Sequence, residues 1–408
     1  MRILLSAFAC APNIGSEAGV GWRWALELSK QHDVWVLTDI TRKVLIEPEL
    51  VKLDRPRLHV VYFRPGWLKN MPLNSRTAQM LFTLWQFAVV PFAKALHRQH
   101  QFDYVHHLTY GVFRHPSLLW KLGAPFVFGP VGGGERAPLR LRQSMSFKGK
   151  CVEFARDVIN TIARFDPFLR RSLHEADIIF ARTRETRQAL PRFARKKTLL
   201  QQEIGGYPAR RLPEQIAVRQ ARPFKLLFAG RLLEMKGVPL AMRAFAGLLA
   251  AQPDAQFTIV GSGPMKARLV ALAAELGVDG NVRFVDQVMQ SELFAMYADF
   301  DCLLFPSLHD SGGNVVLEAL SFGLPVVCLD LGGPPTFVNE QCGRVVPVDH
   351  RSEADIVVAM TRELVDLATS PQKVHALALG ALCRAEDITW EKQIAATMQA
   401  IGHATGVK

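Results

Sequence analysis

No two of the six cysteines, at 10, 151, 302, 328, 342 and 383, are spaced C-x-x-C, and Cys302 and Cys328 fall inside apolar runs. That argues against a disulfide framework and for reduced, buried thiols in a cytosolic protein. Long apolar runs are also missing. The longest, MLFTLWQFAVVPFA from Met80, is shorter than the ~20 residues a membrane-crossing helix needs and is interrupted by Pro91. The opening stretch MRILLSAFACAPNIGSEAG imitates a signal peptide, but its apolar core is short and one charge precedes it. It reads better as a first parallel strand entering a glycine-containing loop. No repeat of about 20 to 50 residues is visible, which excludes solenoids. The basic residues are spread over many elements without a recognised nucleic-acid module, so nucleic acid is not an expected partner.

What is present fits a globular chain long enough for two cores: 408 residues, 49% hydrophobic and 21% charged. The net charge of +12 is unevenly spread. Residues 1–210 hold 32 Lys and Arg against 16 Asp and Glu, and residues 211–408 hold 17 against 21. Such asymmetry predicts an anionic partner for the first half only, whether a membrane surface, a phosphorylated acceptor or the less expected nucleic acid. Amphipathic helices are expected over about 76–98 and 147–174, where Arg and Lys stand beside Phe, Leu, Ile and Trp.

Strand-like and helical runs alternate throughout, the pattern of doubly wound parallel sheets. The strand-like runs of the first half are ILLSAFA, DVWVLT, LHVVYF, FDYVHHL, PFVFGP, DIIFAR and TLLQQ. A Gly-, Pro- and Arg-rich linker covers 206–222, after which FKLLFAG, QFTIVGSG, VRFVD, DCLLFP, PVVCLD and GRVVPV follow. The expected architecture is α/β: two Rossmann-like domains, 1–205 and 223–387, with a ligand in the cleft at the carboxyl ends of both strand sets.

The loops at those strand ends carry the chemistry. In FPSLHDSGGNVVLEALSFGLPVV, residues 305–327, Ser311, Gly312 and Gly313 offer backbone N–H groups where a helix begins at Asn314, an arrangement that holds a phosphate. Asp310 and Glu318 flank it. Two carboxylates would repel a bare phosphate, so hydroxyls attached to that phosphate are their better partners, which suggests a nucleotide sugar. In GRLLEMKG, Gly230 and Arg231 follow a strand and Lys236 a turn later, so that a guanidinium and an ammonium can reach one diphosphate. Gly261-Ser262-Gly263-Pro264 lacks the third glycine of a dinucleotide fingerprint and reads as a loop closely approached by a ligand. Two further glycine-containing loops lie in the first half, 13–17 and 131–135.

These segments resemble the retaining GT-B glycosyltransferases of group 1, or family 4, and the resemblance covers essentially the whole chain. Its specific parts are G-R-x4-K-G at 230–237, G-S-G-P at 261–264 and the acid-x7-Glu segment ending E-A-L-S-F-G-L-P-V. The resemblance implies that Arg231 and Lys236 hold the donor diphosphate and Glu318 the ribose. It gives Asp310, with the amides of Ser311 to Asn314, the donor sugar and distal phosphate, and has Gly15 and Ser16 close over the diphosphate. Backbone of 285–288, up to Val288, would face the nucleobase. A carboxyl-terminal helix, 388–408, would pack back on the first domain.

Two departures stand out. Asp310 occupies a position usually held by Glu. The His common after the PFVFGP-type strand is absent, leaving His107 as the candidate for that polar role and Glu135 and Gly133 as acceptor-side candidates. The implied activity is transfer of a sugar from a UDP- or GDP-sugar to a carbohydrate or lipid-linked hydroxyl, without metal or further cofactor. The setting would be bacterial surface polysaccharide or glycolipid assembly, in the cytoplasm or peripherally at the inner face of the membrane. A GT-B nucleotide-sugar epimerase and a non-catalytic nucleotide-sugar-binding protein are the alternatives. The first is separated by testing for donor isomerisation without acceptor, the second by testing for turnover.

Overall fold

The computed structural model describes residues 1–15, 17–74, 77–218 and 222–407. Each strand-like run of the sequence becomes a strand. In the first sheet these are β1 (Arg2–Ser6), β2 (Asp33–Asp39), β3 (Leu58–Phe63), β4 (Tyr104–His107), β5 (Phe126–Val131), β6 (Ile178–Ala181) and β7 (Thr198–Leu200). In the second they are β8 (Lys225–Ala229), β9 (Gln256–Val260), β10 (Val282–Val285), β11 (Cys302–Phe305), β12 (Val326–Leu329) and β13 (Gly343–Val346). Their near-continuous Val, Ile, Leu and Phe runs suit strands covered on both faces by helices.

Both sheets are wholly parallel among the described residues, in the orders β3-β2-β1-β4-β5-β6-β7 and β10-β9-β8-β11-β12-β13. Strand order therefore reverses between β1 and β4 in one sheet and between β8 and β11 in the other. The helices that follow the paired strands at such a switch lie on opposite faces of the sheet, and the crevice outside the carboxyl ends of those strands is where ligands bind. The opening segment that imitates a signal peptide supplies β1, paired on both sides by β2 and β4.

The chain divides into two compact units. The first comprises Met1–Gly134, Val158–Ile204 and the segment from Trp390 onward; the second comprises Glu135–Asp157 and Gly205–Thr389. This revises the expected first domain of 1–205, because 135–157 sorts with the second unit. The reason is polar pairing. Ser146 N–H donates to the Glu234 carboxylate at 2.8 Å, Ser144 N–H to Glu353 at 2.8 Å, and His309 Nε2 meets Glu153 Oε1 at 2.7 Å. Within the first unit, the Trp390–Thr405 helix is tied by Gln201 Nε2 donating to Gln393 Oε1 at 2.8 Å and Tyr104 O–H to Met398 Sδ at 3.1 Å.

The apolar run from Met80 is part of the Ala78–His100 helix, which continues through Pro91 where the sequence suggested an interruption. By length and composition this helix could cross a membrane. It nevertheless sinks Leu81, Phe82, Trp85, Val89 and Ala93 into the core of the first sheet, where Phe8 lies edge-on to Phe82 and Trp85. Burying each of those large side chains is favourable by about 1.5–3 kcal/mol, which outweighs the cost of one proline in the helix interior. The amphipathic stretch from 147 is two helices, Phe147–Ala163 and Pro167–Glu175. The break lies at Asp166, whose carboxylate accepts from the N–H groups of Phe168 and Leu169, with Pro167 opening the second helix.

Candidate active site

The second unit assembles most of the residues singled out by sequence. Because β8 pairs with β11 at the switch point, the loop after β8 and the loop after β11 lie side by side. Lys236, in the turn Glu234–Lys236, thereby reaches Asp310, and the two form an ion pair. The Lys236 ammonium also lies 5.0 Å from the centre of the Phe305 ring, so it is held between a carboxylate and an aromatic face. Arg231, at the start of the same loop, is exposed.

On the neighbouring loop, Gly312 N–H points at Asp310 Oδ1 at 3.4 Å. Gly313 has φ of +98°, a conformation an L side chain rarely adopts, and this turns the chain into the Asn314–Ser321 helix. Ser311, Gly312 and Gly313 lead into the first turn of that helix, and the Gly312 N–H and the Lys236 ammonium both meet the Asp310 carboxylate.

Glu318, buried in the body of that helix, accepts from Gln290 Nε2 at 2.6 Å and from Tyr297 O–H at 3.1 Å. Burial pushes its carboxyl above the usual range, and the hydrogen bonds from Gln290 and Tyr297 and the charge of Arg210 offset part of that rise. Val288, half-buried, lies on the loop leading from β10 into the helix that begins at Gln290.

Gly261 is explained by packing. A Cβ on Gly261 would stand 2.0 Å from the Gly230 carbonyl oxygen, so the G-S-G loop and the G-R loop touch backbone to backbone. Leu232 N–H completes the clamp by donating to the Ser262 carbonyl at 2.9 Å. The close approach read from the sequence is therefore made by a neighbouring loop of the protein itself.

Glu135 joins this unit. Buried, it accepts from Ser311 Oγ at 2.8 Å and lies 3.8 Å from the Arg156 guanidinium. A carboxylate assigned to the acceptor side on sequence grounds thus stands against the loop that precedes the Asn314–Ser321 helix.

The first unit holds the other candidates. Gly15 is exposed in the loop after β1, and Ser16 lies outside the described residues. Gly133 is a backbone anchor: its carbonyl accepts from Arg114 at 3.2 Å and from Asn160 at 3.1 Å.

His107 does not fill the catalytic position considered for it. It is fully buried, its ring stacked on Phe128 at 5.2 Å, and neither ring nitrogen has a hydrogen-bond partner. Burial, helped by His106 and His115, pushes its pKa down to about 3, and burial brings His106 to about 4. Both imidazoles are neutral in the folded state and take up protons near their ordinary value of 6.5 once unfolded. Their contribution to stability is therefore complete above pH ~6.5 and is lost as pH falls towards 4 and 3. His107→Phe removes two unpaired buried nitrogens from an aromatic site. It should leave turnover unchanged and flatten the acid limb of a Tm-against-pH curve. A variant that loses activity while keeping its Tm would restore His107 to catalysis.

Three contributors escaped sequence reading. Gln290 and Tyr297 hold Glu318. Arg210, in the expected linker, lies over the rings of Tyr207 at 4.3 Å and Phe294 at 4.7 Å. The Arg-aromatic composition of 207–211 was the available signal for Arg210; nothing local marks the other two.

Residues 213–364 match the family model of glycosyl transferases group 1. This segment is similar to the group 1 glycosyl transferases. Related curated proteins include the D-inositol 3-phosphate glycosyltransferases of Streptomyces bingchenggensis, 35% identical over 187 residues, and of a Nocardioides species, 35% over 195 residues. Each match covers 44% of this chain and 40% of the relative, so the chain spans about two fifths of the length of those proteins.

Solved structures extend the likeness over the whole fold. The lipopolysaccharide outer core galactosyltransferase WaaB superposes with a TM-score of 0.66 at 12% identity, covering 99% of both chains. Sucrose-phosphate synthase from Thermosynechococcus elongatus gives 0.63 at 18% over 100% of both. HepE from Anabaena, in complex with UDP, gives 0.57 at 18% over 98% of this chain and 99% of that one. At these identities the shared feature is the fold, the GT-B arrangement of two parallel α/β sheets.

Proposed function

We propose that the chain is a retaining glycosyltransferase that moves a sugar from a nucleoside-diphosphate sugar to an acceptor hydroxyl. The acceptor class is a carbohydrate or lipid-linked hydroxyl of surface polysaccharide or glycolipid assembly. The observation that carries the reading is the juxtaposition of Lys236 and Asp310 with the amides opening the Asn314–Ser321 helix, inside the segment similar to the group 1 glycosyl transferases.

In this reading the ammonium of Lys236 and the guanidinium of Arg231 neutralise the departing diphosphate, with the amides of Gly312 to Asn314 on its distal phosphate. The Glu318 carboxylate accepts from ribose hydroxyls, in competition with Gln290 and Tyr297, and Asp310 accepts from a sugar hydroxyl. The bond from sugar C1 to phosphate oxygen breaks and the bond from C1 to the acceptor oxygen forms on the same face. The acceptor proton passes to a diphosphate oxygen, so no protein nucleophile or metal is required.

HepE structures hold UDP and UDP-glucose, which makes UDP-sugars the first donors to test, with GDP-sugars second. The test is turnover of purified protein with donor and candidate acceptors, the anomeric configuration of the product being read by NMR. A product with the donor's configuration, formed equally well in EDTA, supports the reading. An inverted product, strict dependence on a divalent metal, or donor isomerised without acceptor overturns it.

A further inference from the structure

The Phe147–Ala163 helix is amphipathic in the opposite sense to an ordinary surface helix. Its inward face is polar. In the second unit Glu153 pairs with His309, Arg156 Nε donates to the Glu135 carbonyl at 3.1 Å, and Asp157 accepts from Arg142 at 2.7 Å. In the first unit Asn160 donates to the Gly133 carbonyl and accepts from Arg114. Positions 153, 156, 157 and 160 share one face at helical spacing.

The outward face is apolar. Phe147 is 84% exposed, Phe154 67% and Ile162 63%, with Val158 and Ile159 between them and Phe165, 74% exposed, just beyond the helix end. A helix facing only water would carry polar groups there. The patch continues through Phe168, which meets the exposed Phe87 edge-on at 5.6 Å.

Its rim selects the occupant. Lys148 and Lys150 are exposed at one end, Arg170 and Arg171 at the other. The acidic groups of the helix, Glu153 and Asp157, are turned inward to His309 and Arg142. Apolar side chains bordered by cations, with the helix's carboxylates withdrawn, match the acyl–headgroup boundary of an anionic bilayer.

We infer that the outward face of the Phe147–Ala163 helix, with Phe165 and Phe168, lies in the surface of an anionic lipid bilayer. The site is distinct from the candidate active site and does not depend on which sugar is transferred.

The test is flotation of the full chain with phosphatidylglycerol-containing vesicles and with pure phosphatidylcholine vesicles. The wild type floats with the anionic vesicles, less so at high salt. Phe154→Ser combined with Ile162→Ser lowers partitioning about tenfold or more, since two large apolar contacts are lost. Lys148→Gln with Lys150→Gln removes much of the preference for anionic lipid.

Cys151 is exposed on this helix and the other exposed cysteine is Cys383, so a polarity-sensitive dye on Cys151 in Cys383→Ser reports the face directly. Its emission shifts to the blue with anionic vesicles, a readout that stands even if the double Ser variant fails to fold. No flotation of wild type at low salt, equal flotation of the double variant, or an unshifted dye overturns the proposal. So does a lipid-free dimer that Phe154→Ser with Ile162→Ser abolishes, which would make the face a protein interface.

Discussion

Lys236→Ala and Arg231→Ala are each expected to lower kcat by about 10²- to 10³-fold, the size of effect seen when a preorganised group facing developing charge is removed. Charge grows on the diphosphate as the glycosidic bond breaks, and a cation already in place costs no reorganisation at that moment. Lys236 is so placed: Asp310 and the Phe305 ring fix its ammonium. Arg231 is exposed and must be drawn in by the donor, so its loss raises KM as well as lowering kcat. Lys236→Ala also leaves Asp310 without its ion pair, so Tm is measured beside kinetics, and Lys236→Arg is the control that keeps charge but alters geometry. Full activity in both Ala variants would remove the proposed leaving-group role.

Asp310→Asn and Glu318→Gln separate two carboxylates that sequence treats as one motif. A hydrogen bond to a charged group contributes about 1.5–3 kcal/mol, so Asp310→Asn should lower kcat/KM by about tenfold to a hundredfold if its sugar contact lasts into the transition state. Free nucleoside diphosphate should bind the Asn variant as well as the wild type or better, because Lys236 is then no longer neutralised by Asp310.

Glu318→Gln should weaken free nucleoside diphosphate through the ribose. It should also raise the Tm of the unliganded protein at neutral pH. The folded carboxyl has its pKa raised by burial, so the stability it contributes is complete below its unfolded pKa and is lost as pH rises through the folded one. A neutral amide escapes that loss. Calorimetry with UDP, kinetics with donor sugar and thermal unfolding compare the variants. Equal weakening of UDP in both would end the division of labour, and unchanged turnover in Asp310→Asn would leave Asp310 as the partner of Lys236 alone.

The legible parts of this chain are those set by local chemistry. Strand runs such as DCLLF and PVVCL declare themselves by continuous apolar, partly β-branched composition, and S-G-G-N and L-E-M-K-G by the turn residues that end strands and open helices. The Asp166-Pro167 break is equally local, a cap and a first-turn proline within four residues of helix. Gly261 shows the limit: its need for a missing side chain was visible, but the neighbour that requires it, the Gly230 carbonyl, was not.

The sequence by itself determined the two alternating α/β series, the basic first half and the residues Arg231, Lys236, Asp310 and Glu318 as candidates. Tertiary structure decided what those residues meet. Lys236 reaches Asp310 because β8 and β11 pair across the switch point, and Glu318 is held by Gln290 and Tyr297 from another helix. Glu135 joins Ser311 although far from it in sequence, His107 disappears into an aromatic core, and the Phe147–Ala163 helix turns its polar side inward. Periodicity reveals that a helix has two faces, but only the groups packed against it decide which face is buried. Here a row of pairing partners, from His309 to Arg142 and Arg114, makes burial of the polar face the favourable choice.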